Sequence, residues 1–211
     1  MYKHFVFDID GTLIDTEKTG VLSLIRTVKD VLGKELSYDE AYKYFGIPSR
    51  NVGPLLNCPD PVRFAEEWEL RFVEMQYLMK PFDGVVDMLA GIKKAGRTVG
   101  CVTSRTRYEF NKDPNLDALV PFFDHIVCAE DSERHKPFPD PMLAYMRMAS
   151  KKSGCAVQPD ECLYLGDTVH DCVCGQSAGC DFALADWYGR GMGDIPAQHI
   201  FHSADGVLSL L

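Results

Sequence analysis

The sequence has side chains that could bind a metal ion and a phosphate in the segments that follow four apolar, strand-like runs. They comprise carboxylates, hydroxyls and basic groups, in the sets Asp8 and Asp10; Thr103, Ser104 and Arg105; Lys136; and Asp167 and Asp171. Clustered carboxylates repel one another, so such a cluster either shifts its pKa values or requires a cation. Oxygen ligands are what Mg²⁺ prefers, and it commonly contacts a substrate phosphate as well. If the four runs share one sheet, the pattern predicts a magnesium site.

Each set has an ordinary structural interpretation when it is taken alone. Asp-Gly and Gly-Asp dipeptides are common turn signals, Thr103 is a candidate helix N-cap, and a lone lysine such as Lys136 is usually a surface residue. The conjunction favours the chemical interpretation, because four carboxylates that converge on one sheet edge would repel one another without a cation.

Strands and helices alternate from residue 81 onward, and this alternation predicts how the sets meet. After a first strand at Lys3–Ile9, the predicted elements are helix Val85–Lys94, strand Thr98–Val102, strand His125–Cys128, helix Pro141–Ser150, strand Cys162–Leu165, helix Val169–Ala178, strand Phe182–Ala185, strand His199–Phe201 and a closing helix capped by Ser203. The pattern is typical of an α/β fold, a doubly wound parallel sheet with helices on both faces. Ligands of such sheets bind at the carboxyl ends of the strands.

Residues 16–80 carry helical patterns between the first strand and the alternating part. An apolar stripe over Glu17–Leu32 has helical spacing, Ser37 and Glu40 form a predicted capping box, and Pro61–Met79 is the longest helical pattern. We therefore expect an α-helical domain over 16–80, inserted into a core domain formed by 1–15 and 81–211.

The motifs and their order resemble those of haloacid dehalogenase (HAD) superfamily hydrolases, within the phosphoglycolate phosphatase-like branch that has a helical C1-type cap. Asp8–Thr12 (DIDGT) is similar to the first motif of that family and Thr103 in VTSR to the second. Lys136 in KPFPDP is similar to the third, and Gly166–Asp171 (GDTVHD) to the fourth. The resemblance covers essentially the whole chain. It implies a HAD-like Rossmannoid core with an inserted cap domain.

The resemblance also implies a role for each motif residue. Asp8 would attack phosphorus as the nucleophile, and Asp10 would act as general acid and base. The implied Mg²⁺ ligands are Asp8, Asp10 through its backbone carbonyl, and Asp167, with Asp171 in a supporting position; the implied phosphate contacts are Gly11, Thr103, Ser104 and Lys136. Thr103 and Lys136 would stabilise the charge of the phosphoryl-transfer transition state.

Two arginines are candidates for binding a second anionic group of the substrate. Arg50 lies in the FGIPSR loop of the expected cap and Arg105 follows the second motif; a guanidinium suits bidentate contact with a carboxylate or phosphate. The alternative for each is an ordinary surface arginine. The segment after Arg105 departs from the family pattern, because Asp113-Pro114 should end a helix there.

The favoured function is Mg²⁺-dependent hydrolysis of a small phosphomonoester through an aspartyl-phosphate intermediate. Phosphoglycolate, a sugar phosphate, a nucleoside monophosphate and pyrophosphate are all open as substrates. The alternatives are a β-phosphoglucomutase-like phosphomutase, which shares the four motifs, and a HAD-fold protein that binds without catalysis. Those mutases usually have a histidine shortly after the pattern DGxxxDT, whereas EKTG follows that pattern here.

The composition of the sequence indicates which classes of partner and which cellular compartment to expect. The 211 residues are 46% hydrophobic and carry a formal net charge of −9, which opposes nucleic-acid binding because that usually needs a basic face. No run approaches the ~18 apolar residues of a membrane span and no signal peptide is apparent. We therefore expect a cytoplasmic protein with reduced cysteines, acting on a small phosphorylated metabolite. No feature of the sequence selects an oligomeric state.

Overall fold

The first apolar run of the chain forms a strand inside a six-stranded sheet. The computed structural model describes residues 1–45, 47, 49–189 and 195–211. Its strands are β1 His4–Phe7, β2 Ile14–Asp15, β3 Lys80–Pro81, β4 Thr98–Val102, β5 His125–Val127, β6 Cys162–Gly166, β7 Asp181–Ala185 and β8 His199–Phe201. Six of them pair in the order β5-β4-β1-β6-β7-β8, and every pair is parallel. The strands β2 and β3 pair with each other.

Helices connect these strands and also fill the segment between β2 and β3. The α-helices in the described part of the chain are α1 Glu17–Leu32, α2 Tyr38–Tyr42, α3 Ser49–Leu55, α4 Pro61–Glu74, α5 Val85–Lys94, α6 Arg107–Lys112, α7 Asp140–Ser153 and α8 Val169–Ser177. Short 3₁₀ helices span Gln76–Leu78, Pro114–Leu116, Val120–Phe122, Ala129–Asp131, Pro159–Glu161 and Ala204–Leu210. The α/β fold predicted from the alternating pattern is confirmed.

The chain divides into two compact units, Met1–Ile14 with Pro81–Leu211, and Asp15–Lys80. The role of the helical unit as a cap domain stays a prediction. None of the described helices is both long enough and apolar enough to span a membrane.

The core of the larger unit consists of strand residues buried on both faces of the sheet. Phe5, Val6 and Phe7 are completely buried, which explains why β1 reads as a continuous apolar run rather than an alternating one. Tyr145 of α7 and Tyr164 of β6 belong to one buried cluster on the sheet. This packing holds the strand ends in fixed positions, as a site at the sheet edge requires.

The helical unit has its own core, formed mainly by α1 and α4. Leu24 and Val28 of α1 are buried together with Phe64 and Trp68 of α4. The Trp68 indole Nε1 donates a hydrogen bond to Ser23 Oγ at 2.9 Å, which satisfies a polar group that would be costly to bury alone. The Ser37–Glu40 capping box at the start of α2 is confirmed.

Several predicted elements differ from the structure at their ends. The helix predicted over Pro61–Met79 ends at Glu74 and continues as a 3₁₀ turn. The closing segment is a 3₁₀ helix, and Ser203 makes no side-chain capping bond, so that prediction was wrong. The strand at Lys80–Pro81 was not predicted, because two residues carry no periodic signal. The helix stop at Asp113-Pro114 is confirmed, since α6 ends at Lys112.

Candidate active site

Four neighbouring strands deliver the candidate residues to one edge of the sheet. The strands β5, β4, β1 and β6 are adjacent, and their carboxyl ends point the same way because all pairs are parallel. Two backbone bonds continue this register beyond the strands: the Asp8 amide donates to the Leu165 carbonyl at 2.9 Å, and the Thr103 amide donates to the Val127 carbonyl at 3.0 Å. Asp8 and Thr103 are therefore fixed by the sheet itself.

Lys136 lies between two of the carboxylates. Its Nζ is 2.6 Å from Asp8 Oδ1 and 2.7 Å from Asp171 Oδ1, and all three side chains are buried. Burial opposes the charge of Lys136, yet the two carboxylates outweigh this effect and raise its pKa. Lys136 is therefore a permanently charged link between the first and fourth motifs.

Groups other than Lys136 also fix the position of the Asp171 side chain. The Tyr164 hydroxyl donates to Asp171 Oδ1 at 2.9 Å, and Asp171 forms a reciprocal capping box with Thr168 at the start of α8. Burial alone would raise the pKa of Asp171, but Lys136 and the hydroxyl donors lower it. Asp171 is thus held ionised, with its partners inside the protein.

Asp167 packs against the turn of the first motif. Thr12 Oγ1 donates to Asp167 Oδ1 at 3.2 Å. Gly11 has φ +82°, and a Cβ built there would lie 2.1 Å from Asp167 Oδ2. A side chain at position 11 would therefore be strained and would collide with the carboxylate. This close approach explains why position 11 is a glycine. The contact of Gly11 with phosphate stays a prediction.

The carboxylates of Asp8, Asp167 and Asp171 form a buried acidic group whose ligand oxygens all lie within 4.8 Å of one another. Burial raises the pKa of Asp8, and the neighbouring carboxylates Asp171 and Asp10 raise it further, against the effect of Lys136. Burial followed by repulsion from Asp171 and Asp8 also raises the pKa of Asp167 well above its ordinary value. Lys136 neutralises only part of this charge. Three carboxylates beside one lysine ammonium leave an excess of negative charge, and an all-oxygen site of this kind fits a divalent cation such as Mg²⁺.

The Asp10 side chain makes a different set of contacts. Arg105 Nε lies 2.8 Å from Asp10 Oδ2, and Arg105 Nη2 lies 2.6 Å from Asp10 Oδ1. Arg105 Nη1 lies 2.5 Å from Asp113 Oδ2. Burial of Arg105 opposes its charge, but Asp10 and Asp113 outweigh it and raise the pKa of the guanidinium. We call this group the Asp10–Arg105–Asp113 chain.

The remaining predicted site residues lie as follows. Thr103 is buried, and its Oγ1 accepts a hydrogen bond from the Arg105 amide at 3.1 Å, so its hydroxyl hydrogen is still available to a phosphoryl oxygen. Ser104 is exposed next to it, and Arg50 is exposed on α3. Gly46 and Pro48 of the FGIPSR loop lie outside the described residues. The substrate-binding roles of Ser104, Arg50 and Arg105 stay predictions.

Sequence reasoning missed two residues that shape the site. Tyr164 looks like an ordinary core aromatic, and only the structure shows its hydroxyl on Asp171. The Asp113-Pro114 dipeptide predicts only the end of a helix, yet the fully buried carboxylate of Asp113 anchors Arg105. An aspartate eight residues after an arginine gives no signal of this pairing, because the intervening turn decides whether the two can meet.

Comparison with known proteins places these observations in a family. A family model described as haloacid dehalogenase-like hydrolase matches residues 5–185. The chain is 28% identical over 209 residues to pyrophosphatase PpaX of Bacillus velezensis, covering 98% of this chain and 93% of the relative. It is 26% identical over 215 residues to pyrophosphatase PpaX of Bacillus mycoides, covering 98% and 94%.

Solved structures share the fold over the whole chain. A Lactobacillus plantarum protein, provisionally described as a phosphoglycolate phosphatase, superposes with a TM-score of 0.85 at 24% identity, covering 100% of both chains. A hydrolase from Pseudomonas syringae superposes with a TM-score of 0.74 at 23% identity, covering 99% of this chain and 97% of that one.

Proposed function

Because the chain belongs to the haloacid dehalogenase-like hydrolase family and is one of its phosphatases, we propose that it hydrolyses a small phosphomonoester in a Mg²⁺-dependent reaction. The proposed substrate is a phosphorylated metabolite such as phosphoglycolate, a sugar phosphate or a nucleotide phosphate. The proposed compartment is the cytoplasm. The net charge of −9 opposes a nucleic-acid substrate but does not oppose a small anion, which responds to a local positive group rather than to net charge.

The observation that carries this proposal is the contact of Lys136 Nζ with Asp8 Oδ1 at 2.6 Å, beside two further buried carboxylates. A positive charge at this distance favours the ionised form of Asp8, which is the form that attacks phosphorus. Lys136 is held in turn by Asp171, so its position does not depend on the substrate.

The proposed reaction has two steps. In the first, an Asp8 oxygen bonds to phosphorus and the bond to the leaving-group oxygen breaks, while Asp10 gives that oxygen a proton. In the second, a water oxygen bonds to phosphorus, the bond between phosphorus and Asp8 breaks, and a proton of the water passes to Asp10. Inorganic phosphate leaves and both aspartates return to their starting states.

The proposed metal ligands are Asp8, Asp167 and the backbone carbonyl of Asp10, with Asp171 in support through Lys136. When bound there, Mg²⁺ would neutralise charge on the phosphoryl oxygens and on Asp8. Thr103 would donate its hydroxyl to a phosphoryl oxygen, and Lys136 would add a fixed positive charge to the transition state.

Phosphate release from a panel of phosphate esters, with and without Mg²⁺, tests this proposal. We expect metal-dependent turnover of at least one ester, and its loss in Asp8→Asn. Asp117→Asn makes the same chemical change at an exposed position and should leave turnover unchanged. Equal turnover in Asp8→Asn and wild type would refute the assignment of Asp8 as the nucleophile. Interconversion of two phosphate isomers without phosphate release would identify a mutase, and inactivity on the whole panel would favour a binding protein.

Pyrophosphate is the second candidate substrate. The names of the two PpaX relatives favour it, and the proposed chemistry at Asp8 is the same when the leaving group is phosphate. Pyrophosphate therefore belongs in the panel. A kcat/KM higher for pyrophosphate than for every ester would move the assignment to a pyrophosphatase.

A further inference from the structure

The Asp10–Arg105–Asp113 chain uses the whole hydrogen-bonding fork of one arginine. Nε and Nη2 of Arg105 bind the two oxygens of Asp10 at 2.8 and 2.6 Å, which is the bidentate geometry that fixes a carboxylate most firmly. The remaining nitrogen, Nη1, binds Asp113. Each nitrogen of the guanidinium thus has a carboxylate partner inside the protein.

Asp113 is the fixed end of this chain. Its side chain is fully buried, and Asp113 Oδ1 accepts hydrogen bonds from the Asn115 amide at 2.9 Å and from Asn115 Nδ2 at 2.7 Å. One carboxylate oxygen is therefore tied to the backbone after α6 and the other to Arg105. The Asp10 side chain, 38% exposed, is the end that faces outward.

We propose that Arg105 is a positioning residue that fixes the orientation of the Asp10 carboxylate, and that Asp113 holds Arg105 in place for this purpose. The inference rests on the proposed function, in which Asp10 takes a proton from water. A guanidinium pairs with a carboxylate, which is the form that accepts this proton, and each oxygen keeps a further lone pair for the water. Arg105 therefore serves the second step, hydrolysis of the aspartyl-phosphate, more than the first.

This role differs from binding the substrate's second anionic group. A substrate-binding arginine would raise KM when removed and would leave kcat nearly unchanged. A positioning arginine would lower kcat, because misplacing a group that transfers a proton slows the chemical step. The two roles are therefore separable with one substrate.

The test follows the phosphoenzyme formed from p-nitrophenyl phosphate with saturating Mg²⁺. This substrate has a leaving group that departs without a proton, so Asp10 is needed mainly for the second step. In Arg105→Ala we expect kcat to fall by about 10- to 100-fold, which is part of the roughly 10²–10⁴-fold that general acid–base catalysis contributes. KM should fall with kcat, because slow hydrolysis lets the phosphoenzyme accumulate. Because hydrolysis is slowed more than formation, the acid-quenched protein should carry phosphate at steady state, as measured by intact mass.

Matched variants make the outcome specific. Arg105→Lys keeps the charge but loses the fork, so its kcat should lie between those of wild type and Arg105→Ala. Asp113→Asn keeps the size of the side chain that anchors Arg105 but removes its charge. Like Arg105→Ala, this variant should carry more phosphoenzyme at steady state than wild type. Arg107→Ala removes an arginine two residues away that pairs with Asp131 instead, and it should behave as wild type.

The alternative results overturn the inference. A raised KM with unchanged kcat in Arg105→Ala would assign Arg105 to the substrate. A loss of turnover without phosphoenzyme would show general damage to the site. If Asp8→Asn abolishes turnover and phosphoenzyme while Arg105→Ala equals wild type, only the positioning role fails; if Asp8→Asn still turns over, the proposed function itself fails.

Discussion

At the scale of single residues, the acidic group at the sheet edge is a source of instability that a cation would remove. A carboxyl with a raised pKa in the folded state binds protons more tightly there than in the unfolded chain. Its stabilising contribution is present below the unfolded pKa and is lost as pH rises through the folded pKa. Asp8 and Asp167 both have raised pKa values, so without metal they destabilise the protein at neutral pH.

Replacing one of these carboxylates should therefore stabilise the metal-free protein. In Asp167→Asn the repulsion disappears, while Asn Oδ1 can still accept the hydrogen bond of Thr12. We expect a higher Tm without metal at pH 7.5, by about 2–4 °C for each kcal/mol of relieved repulsion, and no further rise with Mg²⁺. Wild type should show the opposite behaviour, a lower Tm that Mg²⁺ raises. Scanning fluorimetry measures both, and a lower metal-free Tm for the variant would contradict the account.

Gly11 should be difficult to replace, for two separate reasons. Alanine there would meet the Asp167 carboxylate in addition to adopting φ +82°. Gly96 has φ +72° with nothing within 4 Å of an added Cβ, so Gly96→Ala isolates the backbone strain, about 1–2 kcal/mol. We expect Gly11→Ala to lower the free energy of unfolding by more than Gly96→Ala in urea titrations. Equal losses would mean that Asp167 moves aside freely.

The residues that meet at the site could be predicted from the sequence where they follow strands of one sheet. Asp8, Thr103 and Asp167 fall in this class, because parallel strands bring their carboxyl ends together. The pairing of Arg105 with Asp10 and Asp113 could not be predicted. It depends on the path of the chain after α6, and sequence spacing does not determine that path.

At the scale of elements, α8 begins with the cap that also fixes Asp171. Thr168 Oγ1 accepts a hydrogen bond from the Asp171 amide at 3.2 Å, and the Asp171 carboxylate accepts one from the Thr168 amide at 3.2 Å. Losing such a cap costs about 1 kcal/mol. We expect Thr168→Ala to lower the free energy of unfolding by about this amount and Thr168→Ser to retain it, in chemical denaturation. Thr106 forms an equivalent but exposed capping box on α6, so Thr106→Ala should cost less.

Periodicity predicted the existence of the main helices and strands better than their ends. The strand Thr98–Val102 and the helix Val85–Lys94 agree with β4 and α5 to the residue, because their apolar patterns are bounded by clear turn signals. The last segment did not follow its prediction, since seven residues around Gly206 are too few for a helical period to decide between α and 3₁₀ geometry.

At the scale of the whole molecule, two histidines link stability to pH. Burial lowers the pKa of both His4 and His125, whose rings pack edge-on against Tyr145. A base with a lowered folded pKa stays neutral in the folded state while the unfolded chain takes up a proton. The free energy of unfolding should therefore fall as pH decreases below about 6.5.

The size of this slope can be tested at one histidine. With Mg²⁺ saturating the acidic group, so that its carboxylates stay ionised, we expect the free energy of unfolding to decline by up to about 1.4 kcal/mol per pH unit for each histidine below pH 6.5. His125→Phe keeps a ring against Tyr145 and removes the titrating group. Its slope should be smaller than that of wild type in denaturant titrations between pH 5 and 6.5; an unchanged slope would show that His125 does not contribute.

The strand order has a consequence for biosynthesis. β1 is made first, yet its partners in the sheet are β4 and β6, and β6 begins only at Cys162. At ribosomal rates of roughly 5–20 residues per second, roughly 8–30 seconds pass between the synthesis of β1 and the synthesis of β6, its second partner strand. The helical unit is complete at Lys80 and relies on contacts within its own segment, which form early. We therefore expect the inserted unit to fold on the ribosome while the strand that precedes it is still unpaired.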